Sequence, residues 1–270
     1  MTTATTVAGG GVSQELRLVW HQFGFDLRAF GRNRQSRFFT LALPVLFLVI
    51  FASVFRNETV KVAGGRIDES VYYVPGIITM GIIGAAFANL VIAVTAQRES
   101  GVLKRRRATP MPASAIIGGR VLTAMATAVA ITALLLVIGW AAYGAHVPGR
   151  AAGALLVTVL LGAAAFCCLG FALVSVVKNE DAAQPVTQTV MLPLYFISGV
   201  FVASSVLPHW LTTVAAIFPV HHLAAALLTA YNPHVSGAGF AWRDLAVIAA
   251  WGVGGLIVAL RRFSWVPLGR

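Results

Sequence analysis

The chain has 270 residues, of which 58% are hydrophobic and 11% charged, and its formal net charge is +11 at neutral pH. Its mean hydropathy of +0.83 excludes an ordinary soluble globular domain and predicts a polytopic membrane protein. Most of the positive charge lies beside long apolar runs, where it orients membrane spans, so no nucleic-acid partner is expected.

The N-terminal residues fall into two segments, one predicted to be disordered and one predicted to be helical. Residues 1–14 are rich in Thr, Ala and Gly and are expected to be disordered, with no cleaved signal peptide. Residues 15–37 predict an amphipathic helix, because Leu16, Trp20, Phe23 and Leu27 share one arc of about 100°. An aromatic stripe of this kind is typical of a helix that lies in the membrane interface.

Residues 38–262 predict an all-α domain of six transmembrane helices. The expected spans are residues 38–55, 71–96, 113–143, 151–177, 182–202 and 245–260. Residues 203–241 contain apolar pieces too short to cross a membrane, separated by prolines, and they predict short re-entrant helices on the outer side. This topology puts 15 of the 20 Lys and Arg residues on the side of both chain ends, which predicts cytoplasmic termini and a cytoplasmic tail at 263–270.

The sequence offers little catalytic or metal-binding chemistry. It has no phosphate-binding loop, so any ATP is expected on another chain, and no catalytic residue is predicted. The adjacent Cys167 and Cys168 are expected to be small core residues. His209, His221 and His222 lie near one another in the chain and could bind metal or haem. No carboxylate or cysteine accompanies them, and no metal site is predicted.

A basic stretch separates the second and third predicted spans. It reads Gln-Arg-Glu-Ser-Gly-Val-Leu-Lys-Arg-Arg-Arg-Ala-Thr-Pro-Met-Pro over residues 97–112. Its charge alone fits an ordinary cytoplasmic loop. The Glu-x-Gly-x-Leu spacing, the basic run and the Thr-Pro pair together resemble the cytoplasmic loop of type-2 ABC transporter permeases of the drug-resistance branch, including the daunorubicin type. The string from Pro193 to Phe201 resembles the end of the fifth span in the same family.

The resemblance implies a fold, partners and site residues. It implies an ABCG-like permease in the bacterial plasma membrane, paired with a second permease subunit and with two ATP-binding subunits that hold ATP and Mg. The cargo would be a hydrophobic or amphipathic drug, lipid or secondary metabolite moved out of the cytoplasm. The residues implied in coupling to the ATPase are Arg98, Glu99, Gly101, Leu103, Lys104, Arg105, Arg106, Arg107, Glu180 and Asp181. Candidates for the substrate path are Phe87, Asn89, Gln188, Tyr195 and Phe196, which could equally serve helix packing.

Two other functional classes remain open from the sequence. The outer histidines would suit a membrane assembly or haem-handling protein. The absence of ionisable side chains from the centres of the predicted spans argues against an ion-driven transporter. It leaves open a channel or scaffold that does not use ATP.

Overall fold

The structure is a computed structural model that describes residues 12–56, 58–62, 64–103, 113–145, 149–203, 206–235 and 237–262. It is almost wholly helical. The helices are α1 Val12–Arg32, α2 Arg34–Arg37, α3 Phe38–Val54, α4 Glu69–Glu99, α5 Ala113–Tyr143, α6 Ala152–Val174, α7 Glu180–Ile197, α8 His209–Ala215, α9 Pro219–Tyr231 and α10 Trp242–Arg262. Two strands, β1 Thr59–Val62 and β2 Gly65–Asp68, lie between α3 and α4.

Four helices are long and apolar enough to cross a membrane, namely α4, α5, α6 and α10. Helices α8 and α9 would add a fifth span if counted as one, but they meet at 99°. The expected first span is the shorter apolar helix α3. The expected fifth span is α7, whose 18 residues include Pro185 and Pro193. The prediction of an all-α membrane protein is therefore confirmed, with four to five candidate spans.

Helix α4 lies at the centre of the bundle, in contact with α3, α5, α6 and α9. At Gly76 an added Cβ would lie 2.7 Å from the carbonyl oxygen of Val200, so only glycine lets the segment after α7 cross α4 at this distance.

A π-helical turn at Gly84–Ala88 precedes Asn89, and a second one, Phe38–Ala42, begins α3. Such turns widen the helix by one residue and occur often at functional sites.

Small residues bring α6 and α10 together. Added Cβ atoms at Gly252 and Gly255 would lie 2.9 Å from Ala165 and from the backbone nitrogen of Leu169. Close backbone approach of this kind drives helix association in lipid, where apolar side chains gain nothing by leaving the tails. Of the two free cysteines, Cys167 is buried in this part of α6, as predicted for a core residue, whereas Cys168 is half-buried.

Residues 56–70, which connect the first two predicted spans, contain an antiparallel hairpin. Val60 pairs with Ile67, and both side chains are buried. The hairpin packs against the loop after α9, where Nε2 of His234 lies 3.2 Å from the carbonyl oxygen of Arg66. The alternation of polar and apolar residues in Thr-Val-Lys-Val, followed by glycines, is a sequence pattern that predicts a strand and a turn.

The N-terminal helix differs from its predicted bounds of 15–37. Helix α1 begins at Val12 and ends at Arg32, and Asn33 interrupts the helical conformation before α2. The Asn33 side chain accepts a hydrogen bond from the backbone N–H of Ser36 at 3.0 Å, which caps the next helix. The remainder of the predicted disordered segment, residues 1–11, and the predicted tail at 263–270 lie outside the described residues.

Candidate functional site

Arg98 is a buried cap for α6. Its side chain is fully buried, and its guanidinium donates hydrogen bonds to the carbonyl oxygens of Val174 at 2.8 Å, Val177 at 2.5 Å and Lys178 at 3.2 Å. The last carbonyls of a helix have no partners within it, and a cation stabilises that end. Arg98 therefore joins the cytoplasmic end predicted for α4 to the segment that leads into α7.

The neighbouring residue, Gln97, connects α4 to a different pair of helices. Its Oε1 accepts a hydrogen bond from Nη2 of Arg120 on α5 at 3.0 Å. Nε of Arg120 lies 3.4 Å from Oδ2 of Asp26 on α1. Arg120 and Asp26 are both enclosed between helices, and Asp26 is only 3% exposed.

A glycine pair on α5 makes room for α1. An added Cβ at Gly119 would lie 2.5 Å from Cγ of Gln22, and one at Gly118 would lie 3.2 Å from Val19. The face of α1 that contains Val19 and Gln22 thus packs on α5, while Leu16 and Trp20 are exposed to 55% and 62%. Leu16 and Trp20 belong to the predicted apolar stripe, and its location in the membrane interface stays a prediction.

The other predicted coupling residues that the structure describes lie at the C-terminal end of α4 and at the start of α7. Glu99 is exposed at the end of α4, and Gly101 has a φ of +69°, a left-handed conformation that favours glycine after a helix. Leu103 is buried at 2% exposure. Glu180 and Asp181 are exposed in the first turn of α7. The remaining four, Lys104, Arg105, Arg106 and Arg107, lie outside the described residues.

A cleft of about 350 Å³ opens between α3, α4 and α7. Its walls are mainly apolar, and none of its lining residues is charged in the described part of the chain. Polar groups come from α3, α4 and α7 and from the segment at α2: Thr40, Asn89, Gln184, Thr187, Gln188, Asn33 and Ser36. Asn89 donates a hydrogen bond to the hydroxyl of Thr40, which links the two π-helical turns at this wall. Large apolar clefts with a few convergent polar groups are typical ligand sites.

The structure brings together three of the five predicted substrate-path residues. Asn89, Gln188 and Tyr195 line the cleft. Phe87 instead lies buried toward α6, where its ring meets Phe166 edge-on at 6.4 Å. Phe196 is 49% exposed and lies outside the lining of the cleft.

Sequence reasoning missed the wall that α3 contributes. Phe47, Phe51 and Phe55 recur every four residues, so they share one helix face and stack on one another. Phe201 stacks on Phe47 and Phe51 at centroid distances of 5.4 and 5.6 Å. Phe47 and Phe201 line the cleft. The i, i+4 spacing of the phenylalanines was visible in the sequence and could have identified this wall.

A smaller polar chamber of about 160 Å³ adjoins the cleft between α1, α4 and α5. Asp26, Gln97 and Arg120 line it, together with Asn33, Ser36 and Asn89. The last three residues also line the cleft, so the two cavities share a wall.

The described residues His209, His221 and His222 do not form a metal-ligand cluster, although the rings of His221 and His222 meet edge-on at 5.6 Å. His222 places Nδ1 2.6 Å from Oδ1 of Asp244 and Nε2 2.9 Å from the carbonyl oxygen of Ala216, so protein atoms occupy both ring nitrogens. His209 begins α8 and is exposed. Within the described residues no three His, Cys, Asp or Glu side chains group into a possible metal site. The haem-handling alternative therefore finds no ligand cluster in this part of the chain.

The bundle, its amphipathic first helix and its apolar cleft are features of a membrane transport protein. The sequence profile of the ABC-2 type transporter family matches residues 17–231, and the chain belongs to that family. The chain is also 26% identical over 197 residues to a protein of Streptomyces coeruleorubidus named daunorubicin resistance ABC transporter permease protein DrrB1. The match covers 68% of this chain and 64% of that relative. The predicted type-2 ABC permease family is confirmed.

Proposed function

We propose that this chain is the membrane-spanning permease subunit of an ABC exporter. It would move a hydrophobic or amphipathic compound out of the cytoplasm with ATP hydrolysed on a separate subunit. The observation that carries the proposal is the uncharged cleft between α3, α4 and α7, which places Asn89, Gln188 and Tyr195 around an apolar space. The name of the Streptomyces relative, which refers to resistance to daunorubicin, supports a drug-like cargo.

The proposal includes the topology and the assembly. Helices α3 and α7 join the four long helices as spans, which gives six, and α8 with α9 forms a re-entrant pair on the outer side. Both chain ends then face the cytoplasm of a bacterium, as the distribution of Lys and Arg favours. Two ATP-binding subunits carry ATP and Mg, and a second permease subunit, identical or related, completes the transport path.

The contacts at the end of α4 support a route for coupling. A partner that displaces the segment after Gln97 pulls on Arg98, which is bonded to the carbonyls before α7. The same displacement acts through Gln97 and Arg120 on Asp26 of α1. Helix α1 leads through α2 into α3, so both routes end at walls of the cleft. The exposed carboxylate of Glu99 is placed to contact the ATP-binding partner itself.

The first test separates coupling from folding. The chain is coexpressed with its ATP-binding partner, reconstituted into liposomes, and assayed for ATP hydrolysis stimulated by the cargo. Glu99→Ala should lower stimulated hydrolysis without lowering the thermal stability of the protein, because the side chain is exposed and removing it leaves the core unchanged. Unchanged stimulation would contradict the role given to Glu99. A chain that purifies without any ATPase, in a detergent that preserves related complexes, would favour a channel or scaffold.

The second test concerns the cleft. Met191 is buried at 5% exposure and lines the cleft, whereas its neighbour Val190 is 40% exposed and does not. Met191→Trp should fill the cleft and abolish transport while the complex still assembles. Val190→Trp is the matched control and should retain transport. Equal transport by both variants would place the path elsewhere.

A further inference from the structure

The polar chamber beside the cleft contains the two charged residues of this region. Among its described lining residues, Asp26 and Arg120 are the charged ones. Through the shared residues Asn33, Ser36 and Asn89, the chamber adjoins the uncharged cleft. A ligand that occupied both spaces would therefore have an apolar body and one polar end.

Asp26 has an unsatisfied hydrogen-bond acceptor among the described residues of the chamber. Its Oδ2 is buried and has no hydrogen-bond partner among the described residues, although Nε of Arg120 lies 3.4 Å away. Arg120 directs Nη2 to Gln97 instead, at 3.0 Å. A buried carboxylate oxygen without a donor is unfavourable, and an ionised donor satisfies it best. An anion placed at Oδ2 would be repelled by this carboxylate, whereas a cationic donor would complete its hydrogen bonds.

We propose that the chamber binds the ammonium group of an amine-bearing amphiphile whose apolar body lies in the adjoining cleft. The inference rests on the proposed export function and deepens it, since it names the chemical class of the cargo. Asp26 accepts from the ammonium group, and the amide and hydroxyl groups of Asn33, Ser36 and Asn89 lie where the two spaces adjoin. The same ammonium chemistry occurs in an exported amine and in the headgroup of phosphatidylethanolamine.

Binding of a matched pair of probes tests the proposal without the ATP-binding partner. The purified full chain is placed in phosphatidylcholine nanodiscs and titrated with a dansyl-labelled alkylamine and with the same molecule after acetylation of its amine. The native protein should bind the amine at least about tenfold more tightly than the acetylated probe, the size expected for one charge-assisted hydrogen bond. In Asp26→Asn this preference should disappear. Equal binding of the two probes, or binding of neither, would overturn the proposal.

A second variant distinguishes binding from a purely structural role. Asp26 also lies between α1 and α5, so its substitution could loosen α1. Arg120→Gln breaks the same ion pair but leaves the carboxylate without a competing cation. The preference for the amine should then rise above that of the native protein. If Arg120→Gln and Asp26→Asn lower amine binding equally, Asp26 acts only through the position of α1 and the proposal is wrong.

A change of lipid identifies the source of the amine. Phosphatidylethanolamine is added to the nanodiscs, and the amine probe is titrated again. Weaker probe binding in the native protein, but not in Asp26→Asn, would assign the chamber to the lipid headgroup. Unchanged binding would assign it to a free amine, and either result supports an ammonium site. Failure of the exporter proposal would appear separately, as absent stimulation of ATP hydrolysis.

Discussion

Replacing Arg98 should destabilise the protein because its guanidinium is buried and joined to three carbonyl oxygens. In Arg98→Gln the carbonyls of Val174, Val177 and Lys178 lose a charged donor. Hydrogen bonds from charged groups contribute roughly 1.5–3 kcal/mol each, and they do not add fully because shared partners relax together. We expect a loss of about 3–5 kcal/mol, as for other broken buried charge contacts. For a chain of this size that lowers the unfolding temperature by roughly 10 °C.

The measurement is thermal unfolding of the purified protein in detergent, followed by intrinsic tryptophan fluorescence. Lys178→Gln is the matched control, because Lys178 lies in the same segment and its side chain is exposed. An exposed substitution should change stability by no more than about 0.5 kcal/mol. Arg98→Lys should fall between the two, since an ammonium group keeps the charge but not the planar fork. An Arg98→Gln protein that unfolds within about 2 °C of the native protein would refute the capping argument.

This role of Arg98 changes how the basic stretch should be tested. A variant that neutralises all of residues 98–107 would lose the cap of α6, and any lost partner could reflect misfolding. Neutralising only Lys104, Arg105, Arg106 and Arg107 leaves that cap in place. Loss of the ATP-binding subunit from this second variant would then report on the interface.

Two further predictions concern glycines at helix contacts, each with a nearby glycine as its control. Gly119→Leu should separate α1 from α5, because the new side chain would overlap Gln22, and α1 should become more sensitive to limited proteolysis; Gly24→Leu meets nothing within 4 Å and should not change the cleavage pattern. Gly252→Val should lower the folded yield from membranes through a clash of α10 with α6, whereas Gly254→Val, which has open space, should not. Equal effects within either pair would show that the contact does not hold those helices together.

The sequence was sufficient for the fold class and for the long helices. The expected third span, residues 113–143, has the same bounds as α5, because uninterrupted apolar character determines both. The fifth is less regular, since α7 starts at Glu180 with an Asn179 cap and ends at Ile197, several residues before the predicted end. Prolines and polar residues make α7 less apolar than the other spans. The segment after Ile197 does not extend α7 and instead crosses α4 at Gly76.

The site was only partly predictable because it depends on which helix faces meet. Asn89 and Gln188 could be selected as polar residues in apolar helices, but the rotation of α4 at Phe87 depends on a π-helical turn that no simple period reveals. Charge patterns alone do not reveal the environment of Arg98 or Arg120. A Lys or Arg near the end of a span normally extends to the headgroups, and only tertiary contacts show that these two are enclosed by carbonyl and carboxylate oxygens.

The contacts at the two ends of α4 restrict how this helix can move. Its N-terminal end continues directly from β2, and the backbone N–H of Glu69 is bonded to the carbonyl of Glu58 across the hairpin at 2.9 Å. Its other end is joined to α6 by Arg98 and to α5 by Gln97. A rod attached at both ends cannot tilt as a rigid body without breaking an attachment, but it can bend between them. The π-helical turn at Gly84–Ala88 lies between the attachments, so a change in the cleft would arise as curvature within α4.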